Sequence, residues 1–138
     1  MRNVRRWKAG LALTSCRLTY CRTCHADAYE GWLHSAHRFS SFNNPFYLAS
    51  VKETRKVVQQ RDGDVRGSRW CAGCHDPVPL LSGTFDTASL EEPIEPTGQA
   101  GITCTVCHAI THINSTKGNA DYTIDRVQIS LRVASTST

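Results

Sequence analysis

The sequence predicts a small, mainly α-helical fold with long loops and little or no sheet. The chain has 138 residues, a length typical of a single domain. Only 40% of these residues are hydrophobic, so the protein by itself offers a thin apolar core. Apolar side chains recur at helical spacing in two segments, whereas glycine and proline interrupt much of the remaining chain.

One pentapeptide, Cys-x-x-Cys-His, occurs three times and uses six of the seven cysteines and three of the six histidines. This pattern attaches c-type haem: both thiols bond to the porphyrin, and the histidine coordinates the iron. We therefore predict three covalently bound haem c groups. Their attachment residues are Cys21, Cys24 and His25, then Cys71, Cys74 and His75, and finally Cys104, Cys107 and His108.

Structural zinc and disulfide bonds are the alternative uses of such cysteine pairs. A zinc site takes four ligands, so three pairs would leave one pair over. Disulfide bonding in an exported protein does not account for the histidine that follows each pair. Haem attachment is the interpretation that explains every defined position of the pentapeptide.

Three haems in 138 residues also change what is expected of the core. The porphyrins should supply much of the buried apolar surface, which predicts a haem-cored multihaem cytochrome fold. Without haem we expect an unfolded or molten chain, because cofactor binding then contributes part of the folding free energy. The formal net charge of +4 is offset by the haem propionates, so it predicts no nucleic-acid partner.

Residues 1–16 have the order of charges expected of an export signal. Four basic residues within the first eight precede a short apolar segment over residues 9–13. Covalent haem attachment takes place outside the cytoplasm, so we expect a periplasmic or other extracytoplasmic location. The sequence Leu13-Thr-Ser-Cys16 resembles the lipobox of bacterial lipoproteins, which would provide a membrane anchor at Cys16. The alternative is that Cys16 is an incidental thiol.

Two longer helices are predicted around these motifs. Apolar residues at helical spacing, among them Tyr29 and Trp32, predict a helix over residues 26–37, and both aromatic rings are candidates for packing beside a haem. Asn44 and Pro45 have the residue types of an N-cap and a first helical position. A second helix should therefore run from there to about residue 60.

The second half of the domain should be less regular. The Asp76-Pro-Val-Pro79 sequence prevents a long helix after the second motif. Residues 82–101 are rich in glycine and proline and are predicted to form a loop over the haem surface. The third motif is expected to open a short helix that carries His112. We assign the haem-binding domain to residues 17–125 and a disordered tail to residues 126–138.

Three further histidines, His34, His37 and His112, are candidates for the distal iron ligands. Three haems need three such ligands, and ligation by two histidines each favours low potential and electron transfer. His112 lies one helical turn after His108 and should therefore ligate a neighbouring haem. His34 is either a distal ligand or an exposed or propionate-bonding residue. In the second case one iron keeps an open position.

The first motif and the residues after it, Cys21-Arg-Thr-Cys24-His25-Ala-Asp-Ala-Tyr29-Glu-Gly-Trp32 with Ser35-Ala-His37, resemble the opening of the cytochrome c-554/c-prime family of multihaem cytochromes. The resemblance extends over about residues 20–125 and implies that His37 is a distal ligand. The sequences around the second and third motifs are also similar to motifs of larger multihaem proteins. Family members generally carry four or more haems, so we expect this chain to be a fragment of a longer member.

These observations favour an electron carrier or relay that meets other redox proteins or cytochromes through small, transient interfaces. The alternative is a domain of a multihaem oxidoreductase that acts on a small nitrogen or sulfur oxyanion at a five-coordinate haem. Related nitrite-reducing enzymes use a lysine-ligated haem, and no Cys-x-x-Cys-Lys sequence occurs in this chain. The relay is therefore the preferred prediction, and we predict no catalytic residues.

Overall fold

The structure is a computed structural model that describes residues 18–87 and 97–124. Its α-helices are α1 (Leu18–Cys24), α2 (Ala26–Leu33), α3 (Pro45–Asp62), α4 (Arg69–His75), α5 (Pro77–Ser82), α6 (Thr84–Thr87) and α7 (Cys104–His108). Two 3-10 turns lie at Arg66–Ser68 and Thr97–Gln99, and strands β1 (Ile110–Ile113) and β2 (Tyr122–Ile124) pair antiparallel. The prediction of a mainly α-helical fold with little sheet is confirmed. The predicted export segment and tail lie outside the described residues.

Helix α2 ends at Leu33, four residues earlier than predicted. The carbonyl oxygen of Trp32 accepts hydrogen bonds from the backbone N–H of Ser35 (3.0 Å) and from its hydroxyl (2.8 Å). A serine hydroxyl that bonds to the nearby backbone competes in this way with helix continuation. His37 consequently lies in a turn instead of on the helix.

Helix α3 begins and is capped as predicted. The Asn44 side chain accepts hydrogen bonds from the backbone N–H groups of Phe46 (3.0 Å) and Tyr47 (3.2 Å), and Pro45 takes the first helical position. The helix ends at Gly63, whose φ of 78° is the left-handed conformation typical of a helix C-terminus. Its buried face consists of Tyr47, Val51, Arg55 and Val58.

The second motif is followed by short helices, as the prolines predicted. Helix α4 ends at His75, and Pro77 starts α5 at the first helical position. The predicted loop over residues 82–101 was wrong in part, because it contains α6 and the 3-10 turn at Thr97–Gln99. Phe85 of α6 is fully buried and packs on Phe42, with ring centroids 6.4 Å apart. Burial of this aromatic ring explains why α6 forms in a segment that the local sequence predicted to be a loop.

The prediction that the third motif's helix carries His112 is also wrong. Helix α7 ends at His108, and His112 lies on strand β1. The β-branched residues in Ile110–Ile113 favour a strand, and pairing with Tyr122–Ile124 satisfies their backbone. Between the strands, Asn119 (φ 54°) adopts a left-handed conformation that asparagine tolerates better than most residues.

The core consists of two small clusters. The first contains Phe42, Tyr47, Val51, Ala72 and Phe85, and the second contains Val78, Leu81 and Val106. Several large apolar side chains remain exposed, namely Phe39, Phe46, Val57, Trp70 and Ile113. The first cluster contains Ala72 of the second motif and the second cluster contains Val106 of the third, so these two motifs adjoin the core.

Candidate haem-binding site

Each cysteine pair lies on or at the end of one short helix. Cysteines three positions apart on a helix face the same side, so each helix presents two thiols together. The first thiol of each pair is half-buried and the second is exposed, and none of the six forms a disulfide bond. Accessible, unbridged thiols with an adjacent histidine are the donor set that covalent haem attachment requires.

The arrangement differs from that of a structural zinc site. Within residues 18–87 and 97–124, no group of three or more His, Cys, Asp or Glu side chains is placed to hold a metal ion. Structural zinc needs four converging ligands. Haem iron takes its equatorial ligands from the porphyrin and needs only axial ligands from the protein. Separate thiol pairs, each beside one histidine, therefore fit haem.

The His75 imidazole is held on two sides. Its Nδ1 lies 2.8 Å from the carbonyl oxygen of Ser40, and the Tyr47 ring stacks on it with centroids 4.1 Å apart and planes inclined by 10°. A carbonyl oxygen can only accept, so Nδ1 carries the proton and Nε2 keeps its lone pair. This tautomer is the one that a metal-ligating histidine needs.

Tyr47 is anchored in turn to a buried carboxyl group. Its hydroxyl donates a hydrogen bond to Asp76, which is fully buried directly after His75. Burial raises the pKa of Asp76 to about 6, although the hydrogen bond from Tyr47 opposes the shift. Burial also raises the pKa of the Tyr47 phenol, and the negative charge of Asp76 adds to this effect. At neutral pH Tyr47 is therefore a hydrogen-bond donor.

A buried cation lies beside this pair. Arg55 is only 3% exposed, and its guanidinium lies 4.9 Å from the centroid of the Phe85 ring. Burial lowers the pKa of Arg55, although the negative charges of Asp86 and Asp76 oppose the shift. The interior behind the second motif therefore contains charged groups as well as aromatic rings.

The other motif histidines are more open. His25 follows α1 and His108 ends α7, and both are exposed. Tyr29 and Trp32 lie on α2 next to the first motif, with ring centroids 5.9 Å apart. Trp32 has a further role, because its indole N–H donates to the carbonyl oxygen of Ile102 at 2.7 Å. This bond connects the helix after the first motif to the chain just before the third.

A short segment, residues 37–41, joins the second and third motifs. The backbone N–H of Ile102 donates to the carbonyl oxygen of His37 at 2.9 Å. At the other end, the Ser41 hydroxyl donates to the carbonyl oxygen of His75 at 2.7 Å. Gly101 permits the approach, because a Cβ there would lie 2.4 Å from the His37 carbonyl oxygen. The backbone at His37 is therefore close to the third motif.

The β-hairpin makes a second connection between these two motifs. Gly73, inside the second motif, packs against Asn119 of the hairpin. Burial raises the pKa of the Tyr122 phenol to about 12, and the nearby thiols of Cys107 and Cys74 contribute to the shift. The contact of Gly73 with Asn119 therefore places the hairpin, which follows the third motif, against the second motif.

The three predicted distal ligands are exposed and lie on different elements. His34 follows α2, and its Nδ1 lies 2.9 Å from the Glu30 carbonyl oxygen. His37 lies in the turn beside Ile102, and His112 lies on β1. Sequence reasoning missed Ser40, Tyr47, Asp76 and Tyr122 as neighbours of the motifs. Tyr47 could have been recognised as buried from its helical spacing to Val51, but its contact with His75 spans 28 positions and has no local signal.

The comparison with protein families agrees with this site. The model of the family described as cytochrome c554 and c-prime matches residues 20–109, a region that contains all three motifs. No curated protein and no solved structure matches the chain. Cytochromes of this family are generally extracytoplasmic, and no helix among the described residues could cross a membrane. The chain therefore belongs to the cytochrome c554 and c-prime family and is a c-type cytochrome of electron transfer that binds haem c covalently.

Proposed function

We propose that this protein is a triheme cytochrome that relays electrons between other redox proteins. Each motif binds one haem c through its two cysteines, and His25, His75 and His108 are the proximal iron ligands. When bound, the haems supply reversible one-electron chemistry at iron. The protein residues attach the three groups, orient the axial ligands and set the distances between neighbouring sites.

The proximity of the second and third motifs carries this proposal. Residues 37–41 bond to the chain at His75 and at Ile102, and Gly73 of the second motif packs against Asn119 of the hairpin that follows the third. Trp32 connects the helix after the first motif to the same Ile102. Because electron transfer between cofactors falls steeply with distance, attachment sites that share neighbours favour a relay.

We further propose that His34, His37 and His112 are the distal ligands. All three rings are exposed. The Nδ1 of His34 donates to the Glu30 carbonyl oxygen, so its Nε2 retains the lone pair that an iron ligand needs. The same tautomer is present at His75, where a backbone carbonyl also accepts from Nδ1. Ligation by two histidines would leave each iron low-spin and suited to electron transfer.

Haem stoichiometry tests the proposed count. Intact mass and the pyridine haemochrome spectrum of the matured protein should both give three haems per chain. Replacing both cysteines of one motif by alanine, as in Cys21→Ala with Cys24→Ala, should remove one haem, and each other motif should behave alike. A wild-type protein with fewer than three haems, or a paired variant that loses none, would contradict the proposal.

The alternative function, a domain of a multihaem oxidoreductase, requires one iron with an open position. The ferric spectrum distinguishes the two functions. A relay should show only low-spin bands, and His34→Ala should then create a high-spin component. An oxidoreductase should contain a high-spin component before any substitution, and nitrite or cyanide should alter it. His34→Ala would leave that component unchanged.

We propose a periplasmic or otherwise extracytoplasmic location, with other cytochromes rather than nucleic acid as partners. Attachment of a lipid at Cys16, which lies outside the described residues, would place the protein at a membrane surface. Cell fractionation, together with the mass of the N-terminal peptide, tests both statements. A haem-loaded protein in the cytoplasm would contradict the location, and an unmodified Cys16 would exclude the anchor.

A further inference from the structure

We propose that Tyr47 is a positioning residue for the haem of the second motif: its ring and its anchored hydroxyl hold the His75 imidazole in one orientation. The inference rests on the proposed function, in which His75 ligates an iron. It concerns a residue outside the motif, on a helix that begins 30 positions before His75.

Two contacts restrict rotation of the imidazole. The Ser40 carbonyl oxygen accepts a hydrogen bond from the ring edge at 2.8 Å, and the Tyr47 ring lies parallel to the ring face at 4.1 Å. Rotation about the Cβ–Cγ bond would break the hydrogen bond and drive an imidazole edge into the phenol ring. The backbone of His75 is also held, because the Ser41 hydroxyl donates to its carbonyl oxygen at 2.7 Å.

Tyr47 is itself held in place from three directions. Helix α3 carries its backbone, and its hydroxyl donates to the buried Asp76 carboxylate. Phe42 stacks on the Tyr47 ring with centroids 6.0 Å apart and planes inclined by 14°. Since Asp76 directly follows His75, Tyr47 contacts the ligand ring and also the residue that fixes the end of the motif helix. Because these contacts leave the Tyr47 side chain few other conformations, its ring can hold the His75 imidazole in one orientation.

The second motif differs from the other two in having an aromatic ring stacked on its histidine. Among the described residues, stacking of an aromatic ring on a motif histidine occurs at His75 and at neither His25 nor His108. Partners that orient a ligating histidine also tune the metal, through the ligand field and the basicity of the ligating nitrogen. The second haem should therefore have the most uniform axial ligation and a reduction potential that depends on Tyr47.

The experiment uses the haem-loaded protein and records the electron paramagnetic resonance spectrum and the potentiometric titration. The variant Cys71→Ala with Cys74→Ala identifies the signal of the second haem by its loss. Tyr47→Leu removes the stacking ring and should broaden and shift that signal, with a changed midpoint potential and with the other two haems unaffected. Tyr47→Phe keeps the ring, loses the hydroxyl anchor and should produce a smaller shift.

Val58→Ala is the matched control for packing. Val58 is buried on the same helix as Tyr47 but lies 11 positions further along, so its replacement should lower the melting temperature without moving the second haem's signal. If Tyr47→Leu lowers the melting temperature but leaves the signal and potential of the second haem at their native values, Tyr47 only packs and the inference is wrong.

Two further outcomes distinguish a failure of this inference from a failure of the proposed triheme function. If the Tyr47→Leu protein does not accumulate, the inference is tested with Tyr47→Phe alone. An unshifted signal of the second haem in the Tyr47→Phe protein would overturn it. If the paired Cys71 and Cys74 variant retains as many haems as the wild type, the proposed triheme function fails instead.

Discussion

Arg69 and Asp86 show how single side chains fasten the second motif helix to the rest of the fold. The Arg69 Nε donates to the Asp86 Oδ1 at 2.7 Å, and a second nitrogen of the guanidinium donates to Oδ2, so the pair is bidentate. Both side chains are about two-thirds buried. The hydrogen bond from Arg69 holds the pKa of Asp86 below its usual value, although burial opposes this shift.

We expect Asp86→Asn to lower the free energy of unfolding by about 1 kcal/mol at pH 7. The pKa of Asp86 is lower in the folded than in the unfolded state, so its stabilising contribution is complete above the unfolded pKa, about 4. It is lost as the pH falls through the folded pKa. Urea unfolding at pH 7 and in acid should therefore show a difference between wild type and variant that shrinks in acid.

Asp62→Asn is the control for this prediction. Asp62 also pairs with an arginine, Arg61, at 2.6 Å, but the two side chains are 38% and 67% exposed. An exposed pair of neighbouring residues contributes little, so this variant should be nearly as stable as the wild type at every pH. An Asp86→Asn difference of constant size at all pH values would contradict the assignment of the effect to this carboxylate.

Gly73 provides a second prediction at the residue scale. A Cβ at this position would lie 2.5 Å from the Asn119 Oδ1 and 2.9 Å from the Asn119 backbone carbon, so the hairpin would have to move. Gly73→Ala should therefore lower the free energy of unfolding by about 1–3 kcal/mol, as overpacking does. Gly31→Ala, on α2 with no atom within 4 Å of the new Cβ, should be neutral or slightly stabilising. Equal stability of the two variants in urea would show that the hairpin does not pack on the second motif.

At the scale of elements, helix α3 has ends that the sequence predicts and a buried face that contacts the second motif. Its N-cap and its C-terminal glycine follow from the sequence, and its buried face carries Tyr47, which reaches the second motif. The hairpin is the opposite case. Its strands are short, and its position depends on contacts such as that between Asn119 and Gly73.

Loss of the N-cap should weaken α3 measurably. Asn44→Ala removes the acceptor for two backbone N–H groups and should lower the free energy of unfolding by about 1 kcal/mol. Ser50→Ala is a suitable control, because Ser50 is exposed and its hydroxyl only donates to the Phe46 carbonyl oxygen of the same helix. Thermal unfolding followed at 222 nm should show a lower midpoint for Asn44→Ala alone. A similar loss in both variants would mean that the cap is not the cause.

For the whole molecule, the two buried clusters contain only five and three hydrophobic residues among those described, while Phe46 and Trp70 are 84% and 73% exposed. We therefore expect the fold to depend on apolar contact with the haems. A chain with all six motif cysteines replaced by alanine should lose most of its native helix signal in circular dichroism and show no cooperative unfolding. The haem-loaded wild type is the reference. Native helix content with a cooperative transition in the cysteine-free chain would contradict a haem-dependent fold.

The sequence by itself determined three Cys-x-x-Cys-His motifs, the capped start of α3 and the interruption at Pro77. These features depend on residue types within a few positions of one another, which is why spacing alone reveals them. The end of α2 at Leu33 depends on nearby hydrogen bonds between Ser35 and Trp32, which helical spacing alone did not reveal. The strand that carries His112 depends on pairing with the strand that follows it. Tertiary structure decided the contact of Tyr47 with His75 and the bond from Trp32 to Ile102, because these residues are 28 and 70 positions apart and only folding brings their atoms together.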